Sequence, residues 1–281
     1  MRFIDTHAHV NFRQFREDAD EVIKRSLDYN TDMILVGSEL KTSKRGLEYA
    51  NKYEKGVYAT VGLHPIHLEE VRVREEGSDF LTRAEVFNYD NYEKLGRMEK
   101  VVAIGEIGLD YNYINQASSE ADQIKKKQKE AFVQQLSLAR DLELPAIIHC
   151  RVAHIDMLQT LKDFKEKNKH LIPLDEPWAV MHCFSGDEDL AWEYFNLGLM
   201  ISFTGLITFS KQWDDLIRKM PRDKFMIETD CPFMTPEPFR GKRNEPVLVK
   251  RVAERIAGIR KVSLEKIAET STTNARYFFD I

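Results

Sequence analysis

The stretch RFIDTHAH, residues Arg2–His9, decides the fold that we expect for this chain. It reads as a short β-strand, because its side chains alternate between two faces. The alternation predicts that Phe3, Asp5, His7 and His9 share one face, with the two imidazoles at the carboxyl end. Imidazoles two residues apart at a strand end can both reach one metal ion. The alternative is a loop with two surface histidines. The metal site is favoured because later strand ends carry similar side chains.

Length and charge limit the classes of protein that fit. The chain has 281 residues, of which 43% are hydrophobic and 31% charged. It is long enough to bury a large core, and α/β barrels of this size are often one domain. The formal net charge is −5, so no general basic field is available to hold duplex DNA. An anionic ligand would need a local cluster of cations or a metal.

Cysteine content and hydropathy indicate the compartment. Three cysteines are too few for a disulfide framework. The chain opens directly into a strand, so we expect no secretory signal, and no apolar run approaches the roughly 20 residues that span a bilayer. We therefore expect a cytoplasmic protein without a membrane partner, with a monomer as the favoured state.

Strands and helices alternate along the whole chain. Hydrophobic runs bounded by turns predict strands at Arg2–Thr6, Asp32–Gly37, Val57–Leu63, Val101–Ile107, Ala146–Cys150, Ala179–Phe184, Leu199–Phe203 and Phe225–Asp230. Helical spacing predicts helices at Asp18–Tyr29, Thr42–Tyr53, Tyr89–Gly96, Ser119–Leu142, Asp156–Lys167, Asp187–Leu197 and Trp213–Met220, and two more that begin at Asn244 and Ser263.

This alternation predicts an α/β fold, a (β/α)8 TIM barrel with parallel strands and outer helices, as a single domain over residues 1–281. An open doubly wound sheet is the alternative, but no Gly-x-Gly-x-x-Gly follows the first strand. Residues 69–85 and 169–177 read as surface insertions, the first irregular and highly charged.

Metal-binding side chains recur at the carboxyl ends of these strands, where barrel active sites lie. They are His7, His9, Glu106, His149, His182 and Asp230. Strand alternation places Ile104, Ile147 and Val180 behind three of them, as an apolar layer beneath the ligands. Any single histidine of this kind is as often a core residue, but five coincident strand ends favour a site.

Four imidazoles and two carboxylates are enough for two divalent ions. Glu106 comes from a strand between the two groups and can bridge them. We assign His7, His9, Glu106 and Asp230 to one ion, and Glu106, His149 and His182 to the other. Water fills the open positions, as in a catalytic metal site. Imidazole suits Zn or Mn and carboxylate tolerates Mg, so the ions are Mg, Mn or Zn.

Other polar residues lie near this end of the barrel. The loop after strand eight clusters Arg240, Lys242 and Arg243, and a guanidinium suits phosphate. Its alternative is a solvated basic loop. His64 and Arg151 follow strands three and five, and we expect both to contact substrate. The alternative for His64 is that it only shapes the turn before Pro65.

The three cysteines each follow a proposed ligand directly. They are Cys150, Cys183 and Cys231. A neighbouring residue on a strand points the opposite way, so we expect them to face the helices as small buried hydrophobes rather than bind metal.

Several of these stretches together resemble the TatD family of metal-dependent deoxyribonucleases, which are amidohydrolase-like barrels. The stretches are Phe3–His9, Gly62–Pro65 (GLHP), Gly105–Asp110 (GEIGLD), His182–Gly186 (HCFSG), Glu228–Pro232 (ETDCP), Phe239–Pro246 (FRGKRNEP) and Thr273–Phe278 (TNARYF). The resemblance implies a TIM barrel with two divalent ions that hydrolyses DNA phosphodiesters by 3′–5′ exonuclease action. It places the metal ligands on the six residues chosen above and substrate contacts at His64 and Arg240.

The expected mechanism uses a water activated by two metals, with Asp230 as general base and Glu106 as the bridging catalytic carboxylate. His64, Arg240 and Arg243 hold phosphate, and Glu228 orients a ligand or a substrate group. The expected partner is DNA, as single strands or frayed 3′ ends.

Three other functions are open. The first is hydrolysis of amides, lactones or esters on the same barrel, but many such enzymes bridge the metals with a carboxylated lysine where this chain has Glu106. The second is D-aminoacyl-tRNA deacylation, and the third is a non-catalytic nucleic-acid-binding subunit, which the full ligand set disfavours.

Overall fold

A computed structural model describes residues 1–75, 78–172 and 176–281. Its strands are β1 Phe3–Ala8, β2 Thr31–Leu35, β3 Val57–Val61, β4 Arg72–Glu75, β5 Ser78–Leu81, β6 Val101–Asp110, β7 Ala146–Arg151, β8 Ala179–Met181, β9 Leu199–Phe203 and β10 Phe225–Ile227. Its α-helices are α1 Ala19–Asp28, α2 Leu40–Ala50, α3 Tyr89–Gly96, α4 Ala121–Asp141, α5 His154–Lys167, α6 Glu188–Asn196, α7 Asp214–Lys219, α8 Val249–Arg260 and α9 Leu264–Phe279.

Eight parallel strands form a nearly closed barrel with the helices around it. Their order is β1-β2-β3-β6-β7-β8-β9-β10. The first and last strands approach each other through a parallel bridge between Ala8 and Cys231. The backbone N–H of His9 donates to the Cys231 carbonyl at 2.8 Å, and that of Asp230 donates to His7 at 2.9 Å. The TIM barrel prediction is confirmed, and the seam of the barrel runs through three predicted metal ligands, His7, His9 and Asp230.

The barrel interior is a small apolar cluster to which seven of the eight strands contribute. Its members in these strands are Ile4, Ile34, Val102, Ala103, Ile147, Val180, Met200 and Met226, and Val36 directly follows β2. Phe278 and Phe279 at the end of α9 belong to the same cluster, so this helix covers the amino-terminal end of the barrel. Ligands therefore have access at the carboxyl end.

The alternation predicted for β1 is wrong in its first half. Ile4 belongs to the interior cluster, whereas Phe3 belongs to the core between the barrel and the helices. The register of β1 against β2 is irregular between Asp5 and Ala8. That irregularity changes the alternation, so that His7 reaches the centre although Phe3 faces outward.

The prediction that Ile104 lies in the apolar layer beneath Glu106 is wrong, because β6 has a similar irregularity. Ile104 belongs to the outer core, and its Cδ1 lies 3.5 Å from where a Cβ on Gly96 of α3 would be. The register against β7 shifts between Ile104 and Ile107. Ile147 supplies the apolar floor instead, packed so closely that a Cβ on Gly105 would lie 2.6 Å from its own Cβ. Ile147 and Val180 both belong to the interior cluster, which confirms that they lie in the apolar layer beneath the ligands.

Two strands are shorter than predicted because their last residues leave the β region. Cys183, after β8, has φ 43°, and Asp230, after β10, has φ 56°. Both values lie in the left-handed region, which cannot continue a strand. His182 and Asp230 therefore sit just beyond their strands.

The insertion at residues 69–85 contains an antiparallel hairpin rather than an irregular segment. Its strands β4 and β5 pair Arg72 with Leu81, Val73 with Phe80 and Arg74 with Asp79. The second predicted insertion, residues 169–177, lies partly outside the described residues. Within the described ranges, no helix is both long and apolar enough to cross a membrane.

Candidate active site

The site begins with the two histidines of the first strand. His7 is fully buried, and its Nε2 lies 3.1 Å from Nε2 of His9. Nδ1 of His9 lies 3.0 Å from the carbonyl oxygen of Val36. Because a carbonyl only accepts, Nδ1 carries the proton and the lone pair of His9 is on Nε2, facing His7.

Glu106 lies at the centre of the cluster, with its two oxygens facing different pairs of histidines. Oε2 is 3.5 Å from Nε2 of His7 and 3.7 Å from Nε2 of His9. Oε1 is 2.9 Å from Nδ1 of His149 and 3.0 Å from Nε2 of His182. One carboxylate thus joins two groups of nitrogen donors.

Asp230 completes the first group from the far side. Its Oδ1 lies 3.3 Å from Nε2 of His9 and 3.8 Å from that of His7. Among the described residues, four groups have ligand atoms that all lie within 4.8 Å of one another. These groups are His7–His9–Asp230, Glu106–His149–His182, His7–His182–Glu228 and His64–Asp110–His149. The second contains the three ligands proposed for one ion, and the first contains three of the four proposed for the other, without Glu106.

Glu228 and Asp110 each contact the ring nitrogen of a cluster histidine that faces away from Glu106. Oε1 of Glu228 lies 3.0 Å from Nδ1 of His182, and it accepts from the Cys183 backbone N–H at 2.6 Å. Oδ2 of Asp110 lies 3.2 Å from Nε2 of His149. Carboxylates in such positions fix the ring orientation and the tautomer of a metal-binding histidine.

Asp110 was missed as a functional residue. The signal was present, because it is a second carboxylate at the end of the strand that carries Glu106. Asp5 was also missed, and its carboxylate accepts from the backbone N–H of Thr229 at 2.8 Å. It ties the β1 end to the segment before Asp230.

Burial and the Glu106 carboxylate have the largest effects on the pKa values in the cluster. Burial alone would raise the pKa of Glu106, but the surrounding histidines hold it well below its ordinary value. Burial disfavours protonated His182, yet Glu106 and Glu228 raise its pKa well above the ordinary value. The pKa of His149 likewise rises to about 9, because hydrogen bonds to Asp110 and Glu106 outweigh its burial. The cluster therefore demands positive charge, from protons or from metal ions.

The predicted substrate contacts are divided between two places. His64 is buried beside the cluster, with Nε2 3.4 Å from Oε1 of Glu106. Arg151 lines the same cavity, near the ring of Tyr113. Arg240 is exposed and lies over the ring of Phe209, 3.9 Å from its centroid.

Arg243 lies elsewhere. Its guanidinium donates to Asp18 at 2.9 Å and to the Gln14 carbonyl at 2.9 Å, and it also contacts Glu245. These contacts point it toward the start of α1, where they leave its predicted phosphate contact without structural support. That contact stays a prediction.

The cavity above the cluster has a volume of about 250 Å³. Ligand pockets typically hold about 300–1,000 Å³, so this cavity lies just below the usual range and suits a small group. The side chains that line it include His9, His64, Glu106, His149, His182 and Asp230, together with Val73 and Phe80 of the hairpin.

The cysteines follow the prediction only in part. Cys150 and Cys231 are buried in the outer core. Cys150 and Cys183 both line the cavity, and Cys183 is half-buried, with a positive φ that departs from strand geometry. Burial raises the pKa of the Cys150 and Cys183 thiols to about 12, so neither is a thiolate at neutral pH.

Known proteins resemble this chain over its whole length. A family model described as TatD related DNase matches residues 4–280. YabD of Bacillus subtilis, named an uncharacterized metal-dependent hydrolase, is 38% identical over 280 residues, which are 99% of this chain and 98% of YabD. The 3′-5′ ssDNA/RNA exonuclease TatD of Erwinia tasmaniensis is 30% identical over 285 residues, 99% of each chain. The crystal structure of the TatD homologue YJJV from Escherichia coli superimposes with a TM-score of 0.80 at 29% identity, covering 100% of this chain and 98% of YJJV.

Proposed function

The chain belongs to the TatD family of metal-dependent hydrolases, and from this premise we propose that it is a 3′–5′ exodeoxyribonuclease that hydrolyses DNA phosphodiesters with a water activated by two metals. The observation that carries the proposal is the division of the Glu106 carboxylate between two groups of histidines. The name of the Erwinia relative supports an action on single-stranded nucleic acid.

The donor set fits metal ions. With the Nδ1 proton of His9 on the Val36 carbonyl and that of a neutral His182 on Glu228, the Nε2 lone pairs of both rings point into the cluster, that of His182 at Oε1 of Glu106 3.0 Å away. Acceptors that face each other at about 3 Å repel unless a cation lies between them. We propose that His7, His9, Glu106 and Asp230 hold one ion, and that Glu106, His149 and His182 hold the other. Bound divalent ions, Mg, Mn or Zn, supply Lewis acidity that acidifies the attacking water and neutralises charge on the phosphate.

Asp230 is the proposed general base. Burial raises the pKa of Asp230, but the neighbouring imidazoles of His9, His182 and His7 outweigh that effect and hold the pKa below its ordinary value. The carboxylate is therefore ionised at neutral pH. It lines the cavity, where it can accept a proton from the attacking water.

His64 is the proposed hydrogen-bond donor to the phosphate. Its Nδ1 accepts from the backbone N–H of Ile66 at 3.1 Å, so the proton of the neutral ring is on Nε2. Burial and the nearby His149 lower the pKa of His64, which keeps the ring neutral. Its Nε2–H points toward Glu106, beside which we place the scissile phosphate. Arg151 and Arg240 are the proposed contacts of the neighbouring phosphates.

The test is digestion of a single-stranded DNA oligonucleotide labelled at its 5′ end. Protein stripped of metal is resupplied with magnesium, manganese or zinc, and Glu106→Gln is assayed beside it. We expect a ladder that shortens from the 3′ end and is absent for the variant. Intact DNA with every metal would contradict the nuclease and direct the search to esters and amides, including D-aminoacyl-tRNA.

A further inference from the structure

The hairpin of β4 and β5 places an apolar face over the catalytic cavity. Val73 and Phe80 are opposite each other in the register, and both line the cavity. The next residues along each strand point the other way, as strand alternation requires. Arg74 and Leu81 are accordingly exposed on the outer face, where the exposed fraction of Leu81 is 58%.

The base of the hairpin is fastened to the barrel. The hydroxyl of Thr82 donates to the Glu69 carbonyl and accepts from the Val71 backbone N–H, both at 2.7 Å. Lys127 of α4 donates to the Leu68 carbonyl at 2.7 Å and to the Glu69 carboxylate at 2.6 Å. Thr82 itself is buried. These bonds hold the cavity-facing side chains in place relative to the cluster.

The side chains that the hairpin contributes to the cavity, Val73 and Phe80, differ in chemistry from the metal-binding cluster. The metal-binding cluster consists of imidazoles and carboxylates that suit a phosphate and its ions, whereas Phe80 contributes a half-buried aromatic side chain to the cavity lining. A phosphate ester that is recognised by both must carry a flat apolar group next to its phosphate. A nucleobase is such a group, and bases stack on aromatic side chains in single-strand binding sites.

We propose that Phe80, supported by Val73, stacks against the nucleobase of the nucleotide held in the cavity and so determines specificity for base-carrying ends. The proposal rests on the proposed nuclease function and deepens it. It makes the hairpin a specificity element, because a terminal sugar phosphate without a base would lose this contact while keeping those of the phosphate.

The experiment compares two single-stranded DNA oligonucleotides, one with a normal 3′-terminal nucleotide and one with a 3′-terminal abasic residue. Wild type is assayed beside Phe80→Ala, the conservative Phe80→Trp, and Leu81→Ala as the matched control from the outer face. We expect Phe80→Ala to lose about 5- to 150-fold in kcat/KM on the normal end, the effect of removing one stacking contact. On the abasic end it should lose less than about twofold. Phe80→Trp should retain activity, and Leu81→Ala should match wild type on both substrates.

An equal loss on both substrates would show that Phe80 only supports the site, and would overturn the proposal, as would no loss on either. A second readout does not depend on turnover: the affinity of each protein for dAMP and for deoxyribose 5-phosphate. We expect wild type to bind dAMP more tightly, and Phe80→Ala to lose that preference. If wild type left DNA intact but kept this preference, the nuclease proposal would fail while base stacking stood. Equal affinity of wild type for both probes would overturn the stacking itself.

Discussion

Oε1 of Glu228 lies 3.0 Å from Nδ1 of His182, on the side of the imidazole opposite to Glu106. The carboxylate is buried and also accepts from the backbone N–H of Cys183. It therefore fixes both the ring plane and the tautomer, and it presents the second nitrogen of His182 to the proposed second ion. Glu228 is a positioning residue in this arrangement.

Replacing Glu228 with glutamine keeps its shape but removes its charge. We expect the affinity for the divalent ion to fall about 10- to 100-fold, the usual effect of losing such a carboxylate. Metal titration of the stripped protein measures this, and excess metal should restore part of the turnover. Unchanged metal affinity would show that His182 does not need Glu228.

Asp230→Asn tests the general base. Asparagine tolerates the positive φ of this position, so the barrel should fold normally. Without a proton acceptor, kcat should fall about 10²- to 10⁴-fold. Circular dichroism provides the control for folding, and metal content must be measured in parallel because Asp230 is also a proposed ligand. A folded, metal-loaded variant with normal turnover would exclude this role.

Arg240→Ala tests the phosphate contact at the rim. A charge-assisted hydrogen bond contributes roughly 1.5–3 kcal/mol, so kcat/KM on an oligonucleotide should fall about 10- to 150-fold. The salt dependence of kcat/KM should become shallower, since one fewer cation engages the backbone. Lys242→Ala, in the same loop, is the matched control. An equal effect of the two variants would indicate a general field rather than a contact.

The ion pair between Asp18 and Arg243 predicts a pH-dependent contribution to stability without an effect on catalysis. The hydrogen bond from Arg243 holds the pKa of Asp18 below its ordinary value of 3.8. The pair therefore stabilises the folded state above about pH 4 and stops doing so as the pH falls through the lower folded-state pKa.

Asp18→Asn should accordingly lower the free energy of unfolding by no more than about 1 kcal/mol at pH 7, since the pair is partly exposed. The difference from wild type should be smaller at pH 3 than at pH 7, because Asp18 of the unfolded chain is then largely protonated while the folded pair approaches its own, lower pKa. Urea unfolding at the two pH values measures it. A difference that grew at low pH would contradict the assignment, and nuclease activity at neutral pH should stay unchanged.

The sequence was sufficient to predict the barrel and to select the residues that the structure brings together. Parallel strands deliver their carboxyl ends to one rim, so His149, His182 and Asp230 had to converge once the strands were recognised. Side-chain direction was less predictable. Phe3 and Ile104 were misplaced because β1 and β6 are irregular between their apolar floor and their ligands, and single-strand alternation carries no sign of that.

The hairpin and Arg243 could not be predicted for a different reason. The strands of the hairpin have four residues each, too short for periodicity to show, and they depend on tertiary bonds through Thr82 and Lys127. Arg243 stands next to a loop at the active rim in sequence, but Asp18, 225 residues away along the chain, determines where its guanidinium lies.

The central claim is that Glu106 bridges two ions, and manganese titration of the metal-free protein followed by electron paramagnetic resonance tests it most directly. We predict two Mn²⁺ ions per chain, with a spectrum that shows magnetic coupling between them. In Glu106→Gln the coupling should disappear and the second ion should bind far more weakly. A single ion in wild type, or two ions without coupling, would contradict the bridged pair.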